Sequence, residues 1–340
     1  MAYSPILKPN TLMNTKLYTG NGSTNNITGV GFQPDWVWTK CRSTVNSSRL
    51  IDAVRGVTKA IVSNSTGAEF TEANGLSAFG TDGYTLNGNL ASMNTNSDTY
   101  VSWNWKANGA GSANTDGSIS STVSANTTSG FSIVSWTGTN ATGTVGHGLG
   151  STPKVVIYKN RTDVTNWYFT TTVIDGSNDL LFLNTTEASQ TFSAPVATNS
   201  LLNLIANNDT NGSGDNIIAY CFAEKQGYSK FGSYTGNGNA DGTFVYTGFK
   251  PAFVMLKNTT RAASWLMYDN KRLGYNVDNN ELVANTNAVE ETYDQIDILS
   301  NGFKMRANGT STNKSGDTFI YMAFAKEPLV ASNYNVATAR

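Results

Sequence analysis

An internal repeat constrains this 340-residue chain more than any other feature. Three short words open the copies: Tyr18-Thr19-Gly20-Asn21-Gly22, Trp136-Thr137-Gly138-Thr139-Asn140 and Tyr234-Thr235-Gly236-Asn237-Gly238, each an aromatic strand end running into a turn. A proline, an apolar run and a lysine follow at identical spacing. Pro34 leads to Trp36-Val37-Trp38-Thr39-Lys40, Pro153 to Val155-Val156-Ile157-Tyr158-Lys159, and Pro251 to Phe253-Val254-Met255-Leu256-Lys257. Each copy closes on an aromatic run preceded by an aspartate, at Asp98, Asp215 and Asp317. Repeats one and three share a further turn, Asp82-Gly83-Tyr84 against Asn301-Gly302-Phe303, where Asn/Asp-Gly supplies the positive φ of a tight hairpin.

Between these marks the apolar residues alternate, as in Phe131-Ser132-Ile133-Val134-Ser135-Trp136, and none of the runs keeps a helical period. The chain therefore reads as all-β. Repeats of about 100 residues with many short strands bury their faces best as two packed sheets. The expectation is three tandem β-sandwich or jelly-roll domains, over residues 14–112, 129–226 and 227–330. Residues 113–128, rich in Gly, Ser, Asn and Thr, read as a linker that leaves repeats one and two free to move. Only Glu224-Lys225-Gln226-Gly227-Tyr228 separates repeats two and three, which implies a fixed angle between them. Residues 1–13 read as an extended docking peptide and 331–340 as a polar tail.

Charge narrows the function. With 23 basic against 24 acidic residues the net charge is -1, which argues against nucleic acid as a partner. No apolar run reaches the length of a membrane span or a signal peptide. Cys41 and Cys221 lie in different repeats within apolar strands and read as buried thiols.

No residues of the chain present themselves as catalytic, metal-binding or cofactor-binding. The single histidine, His147, lies in Gly146-His147-Gly148-Leu149-Gly150 without a nucleophile elbow and reads as a turn residue. In Glu290-Glu291-Thr292-Tyr293-Asp294-Gln295-Ile296-Asp297 the carboxylates lack the same-strand spacing of a glycosidase pair. Asn178-Asp179 and Asn207-Asn208-Asp209 match no calcium loop. Asp52 and Arg55 recur in repeat three as Asp269 and Arg272, whereas repeat two lacks them. They read as a salt bridge that fixes a loop, with contact to a polar ligand as the sharper alternative. The tryptophan pairs Trp36/Trp38 and Trp103/Trp105 each share a sheet face, which favours core over a sugar platform.

The runs Asn14-Thr15-Lys16-Leu17-Tyr18-Thr19-Gly20-Asn21-Gly22, Ile27-Thr28-Gly29-Val30-Gly31-Phe32-Gln33-Pro34-Asp35-Trp36-Val37-Trp38 and Tyr100-Val101-Ser102-Trp103-Asn104-Trp105-Lys106-Ala107 resemble a family of tailed-phage virion proteins with concanavalin-like repeats. The resemblance covers all three copies. It implies a non-enzymatic structural role in the bacteriophage particle, as a tail fibre or other appendage used in host attachment. The expected partners are other virion proteins, further copies of the chain in a homo-oligomer, and host-surface glycans. A capsid-decorating or head-fibre role is the nearest alternative, because the first repeat begins close to the start of the sequence. A free carbohydrate-binding module or a glycosidase is the alternative from another class. The resemblance carries over no catalytic residues, and repeat two departs from it at His147-Gly148-Leu149-Gly150 and in lacking the Asp and Arg pair.

Overall fold

In the computed structural model, which describes residues 8–272, 276 and 279–328, the chain is all-β and its sheets are antiparallel. Among the described residues the one α-helix is the single turn Asn208–Asn211. Every repeat builds its main sheet from the same strands. In repeat one the opening strand Met13–Thr19 pairs with the closing strand Thr99–Trp105. The closing strand pairs in turn with the lysine strand Trp36–Cys41, and that with Arg49–Asp52. Phe131–Thr137, Asn216–Phe222, Val155–Asn160 and Tyr168–Thr171 repeat this order in the second copy. Ser229–Thr235, Thr318–Pro328, Phe249–Asn258 and Leu266–Asp269 repeat it in the third. A small sheet packs on the outer face of each main sheet. It has three strands in repeats one and three, and two in repeat two, Gly143–Gly146 and Leu201–Leu204.

The lysine strands show why each main sheet is buried on both faces. Successive side chains point to opposite sides of a strand. Trp36 and Trp38 enter one cluster, while Val37 enters the cluster under its own small sheet. Val155 and Ile157 alternate in the same way with Val156 and Tyr158, as do Phe253 and Met255 with Val254 and Leu256. The outward clusters are private to each repeat. The inward one is common to all three: Trp36, Trp38, Trp103 and Trp105 pack there with Phe131, Tyr220 and Phe222 of repeat two and Phe253, Met322 and Phe324 of repeat three. Trp36 stacks on Tyr220 at 4.3 Å between ring centroids, and Trp105 meets Phe253 and Phe324 edge-on at 5.8 and 5.7 Å. The three main sheets thus wall one core.

Two expectations change here. The segment 113–128 is not a free linker: Ser112–Asn114 and Ser121–Asn126 are strands that extend the main sheet of repeat two. Polar residues with little to pack still satisfy their backbone groups by pairing with a neighbouring strand, and Val123 is buried beneath the sheet. Repeats one and two share a core, so they are not free to move. Of the docking peptide 1–13, residues 1–7 lie outside the described residues, as does the tail 331–340. The rest is built into the fold: Pro9–Thr11 forms a 3-10 turn, and Leu12 and Met13 are buried in the shared core. Residues 12 and 13 read as tail because their apolar side chains precede the first turn word. The opening strand begins before that word.

The turn words have a structural cause. A Cβ on Gly20, Gly138 or Gly236 would stand 2.1, 2.1 and 2.3 Å from the carbonyl oxygens of Thr95, Gly212 and Lys314, so no side chain fits. Opposite each glycine lies a fully buried asparagine, Asn94, Asn211 or Asn313. Its Oδ1 accepts the backbone N–H of the residue after the glycine, at 3.1, 3.1 and 3.0 Å. Its Nδ2 donates to carbonyls of the same turn: Ser23, Ala141 and Asn239.

Candidate functional site

Asp52 and Arg55 come together as an ion pair with both side chains fully buried, and so do Asp269 and Arg272. Each aspartate ends its strand and caps the turn that follows. Asp52 Oδ1 accepts the N–H groups of Val54 and Arg55, and Asp269 Oδ1 those of Lys271 and Arg272. Each arginine then reaches back to a carbonyl of its strand, Leu50 or Met267, at 2.8 Å. That much fixes a loop.

The second carboxylate oxygen does something the sequence did not disclose. Asp52 Oδ2 accepts the Tyr220 hydroxyl of repeat two at 2.7 Å, and Asp269 Oδ2 accepts the Trp103 indole N–H of repeat one at 3.0 Å. A glutamate extends each cluster. Glu69 bridges Arg55 and Arg161 of repeat two, and Glu290 bridges Arg272 and Arg42 of repeat one. Each is thus a five-residue network across a contact between repeats. Asp52 and its carboxylate charge help hold the Arg55 guanidinium well above its ordinary range, against the opposing effect of burial. With every partner internal, the four residues present nothing to a dissolved ligand.

At the third contact, between repeats two and three, Thr171 stands where Asp52 and Asp269 stand, and Met322 where Trp103 and Tyr220 stand. Ile174 takes the arginine place and packs against the shared core. The backbone bonds across the contacts persist in all three. Glu69 N–H donates to Arg161 O at 2.9 Å, Glu290 N–H to Arg42 O at 3.1 Å, and Ser189 N–H to Thr259 O at 2.9 Å.

The repeated lysines close a ring. Lys40, Lys159 and Lys257 are fully buried. Each donates to a threonine carbonyl of a neighbouring repeat: Thr286 at 2.8 Å, Thr66 at 3.0 Å and Thr186 at 3.2 Å. Burial pushes all three ammonium groups down to about 8. The Pro-to-Lys spacing marked these lysines in the sequence; their acceptors, backbone oxygens far along the chain, leave no such mark.

The remaining candidates disperse. His147 is buried, with Nε2 at 3.2 Å from Thr198 O and Nδ1 accepting the Leu149 N–H at 3.3 Å, the pattern of a neutral ring. Burial lowers its pKa. In the acidic run, Glu290 belongs to the network above, Glu291–Tyr293 is an exposed strand, and Asp297 pairs with Arg306 at 3.3 Å. Asn207 caps the short helix, accepting the N–H groups of Asp209 and Thr210. Among the described residues no group of three or more His, Cys, Asp or Glu side chains is placed to hold a metal ion. Cys41 and Cys221 are free and buried. A void of about 10 Å³ lies where the repeats meet, lined by Trp36, Trp105, Phe222 and Phe253; an apolar space of that size holds no ligand. An open concavity with polar walls is found in repeat two. It is no larger, about 10 Å³, and lies between the main and small sheets, with Lys154, Tyr158, Asn178 and Asn203 in its lining.

Residues 8–328 match the family described as a domain of unknown function, DUF7483, and the chain belongs to that family. One match spans all three repeats, consistent with a unit in which they share a core. No curated protein matches the sequence.

Proposed function

We propose that this member of the DUF7483 family is a non-enzymatic structural protein of a tailed-phage virion, a tail fibre or surface appendage with three concanavalin-like jelly-roll repeats that contacts host-surface glycans. The observation that supports it best is where the repeated polar residues lie. Asp52, Arg55, Asp269, Arg272 and the three lysines all bind one repeat to the next. Residue types that would serve as acid, base or nucleophile elsewhere are here internal fastenings, the economy of a part built to persist rather than to turn over. The resemblance of the turn words and aromatic strands to virion proteins supplies the setting. Association with further copies and with other virion proteins belongs to the same reading, since sandwich edges pair readily.

Cryo-electron microscopy of purified particles carrying this gene tests the proposal. Density for the three-lobed chain on the tail or baseplate is the expected result. Density over the capsid lattice would make it a decoration protein, and a particle without the chain would overturn the virion assignment.

A further inference from the structure

The small sheet of repeat three is ordered Phe244–Tyr246, Gly302–Met305, Ile296–Leu299, with Phe244–Tyr246 at its edge. Val245 points into the core, so Phe244 and Tyr246 share the outer face, where they are 44% and 43% exposed. The fold does not require aromatic residues there. In repeat one Asn26 and Thr28 flank the buried Ile27, and in repeat two Thr144 and Gly146 flank the buried Val145. We propose that Phe244 and Tyr246 form a stacking platform for neutral sugar residues of a glycan, an inference that rests on the glycan-contact part of the proposed function.

Each ring leans over a glycine. A Cβ on Gly302 would stand 3.2 Å from Phe244 Cε2, and one on Gly248 would stand 3.5 Å from the Tyr246 hydroxyl oxygen, so both aromatics lie against backbone while part of each stays in water. Alternate residues of a strand are about 7 Å apart, which lets the two rings lie under neighbouring sugars of one chain. A pyranose presents C–H faces that stack on aromatic rings, and a rim of hydroxyls that both donate and accept. The rim finds its complement on the same sheet face: Lys304 is the register partner of Phe244, and Asp297 that of Lys304. Asp241 pairs with Lys304 and Arg306, and Arg306 with Asp297. Two positive and two negative groups cancel, which favours a neutral ligand over a charged one. A protein partner fits less well. The two rings, each less than half exposed, offer on the order of 200 Å² of aromatic surface, against about 800 Å² a side in a stable protein interface.

Saturation-transfer NMR on the whole chain, with maltose, cellobiose, lactose and N,N′-diacetylchitobiose at millimolar concentration and N-acetylneuraminic acid as the anionic control, tests the platform. The expected result is transfer to at least one neutral disaccharide, weakened at least fivefold by Phe244→Asn combined with Tyr246→Thr, which installs the residues that repeat one carries at these places. Phe244→Ala alone should weaken it at least twofold, and serves if the double variant fails to fold. Transfer undiminished in the folded variants would overturn the platform and leave glycan contact to another face of the chain. No transfer to any neutral disaccharide would overturn both the platform and the glycan-contact reading, and preference for N-acetylneuraminic acid would overturn the platform. A parent that elutes as a dimer by size-exclusion chromatography, with the double variant monomeric, would assign the face to a second copy instead. The virion assignment would stand or fall separately, by microscopy.

Discussion

The contacts that join repeat one to its two neighbours carry buried ion pairs, and among the described residues the contact between repeats two and three carries none. At the first two, Asp52–Arg55–Glu69 and Asp269–Arg272–Glu290 meet Tyr220 and Trp103. At the third, Thr171, Ile174 and Met322 occupy the corresponding places. All three keep the same cross-contact backbone bond, so the geometry of the ring does not depend on the ion pairs. Buried ion pairs add little net stability over an apolar substitute, since removing two charges from water costs several kcal/mol that their attraction only offsets. The contribution expected of them is selectivity. Three similar sheets could in principle meet in the wrong order or with another chain, and a carboxylate facing Met322 would lose the hydroxyl or indole N–H donor that the correct neighbour supplies.

The comparison breaks most visibly if one partner of a network is removed. Arg55→Ala leaves the Asp52 carboxylate buried with only the Tyr220 hydroxyl and two backbone N–H groups, and should cost about 3–5 kcal/mol. Ile174→Ala, at the corresponding place of the apolar contact, removes part of a half-buried side chain and should cost about 1–2 kcal/mol. Urea unfolding of the two variants side by side measures the difference. Equal losses would mean that the polar and apolar contacts are equivalent in kind. Because the three main sheets wall one core, both variants should still unfold in a single transition by tryptophan fluorescence; two transitions would show that the repeats fold apart.

Much of this arrangement could be read from the residues, and the rest could not for identifiable reasons. The all-β class, the three copies and the core role of Trp36, Trp38, Trp103 and Trp105 follow from period-two alternation. That the tryptophan face looks onto the other two repeats did not follow, because a strand buried on both faces shows which residues share a side but not what lies opposite. Asp52 and Arg55 were visible as a recurring pair; Tyr220 and Glu69 were not, since their partnership spans repeats. The asparagines Asn94, Asn211 and Asn313 do carry a mark in the sequence, since each precedes the recurring aspartate at constant spacing.

An unpaired carboxyl at the less polar side sharpens the comparison through pH. Asp179, the register partner of Thr171, is buried, its Oδ2 has no hydrogen-bond partner among the described residues, and the place of Arg55 is taken there by Ile174. Burial, helped by the nearby Asp175 charge, pushes its pKa up to about 6. An acid whose folded pKa exceeds its unfolded value of about 3.9 holds its proton more tightly when folded, so its favourable contribution is complete below about pH 4 and is lost as pH rises through 6. Asp179→Asn should therefore raise stability by about 2 kcal/mol at pH 7.5 and leave it unchanged at pH 3.5. Denaturation curves at the two pH values check this, and a gain of equal size at both would place the effect in packing rather than in titration.

The smallest expected effect is the most discriminating. Asp52→Thr, Arg55→Ile and Tyr220→Phe together give the first contact the chemistry of the third while keeping the aromatic ring at position 220 on Trp36. The turn should survive, because Thr171 already holds the Val173 N–H through its hydroxyl at 3.3 Å, and the hydroxyl that Asp52→Thr introduces can hold the Val54 N–H in the same way. Leu50 O loses the guanidinium but keeps the Ile61 N–H at 3.2 Å, and Glu69 keeps Arg161. Replacing a complete buried network by apolar groups is close to neutral, so the triple variant should lie within about 1 kcal/mol of the parent even though Arg55→Ala alone is severe. If selectivity is what the network adds, the cost appears elsewhere: refolding at high protein concentration should yield more dimeric or aggregated chain than the parent, read by size-exclusion chromatography. A triple variant as unstable as Arg55→Ala would show instead that the ion pairs hold the ring together, and the polar and apolar contacts would then differ in strength rather than in purpose.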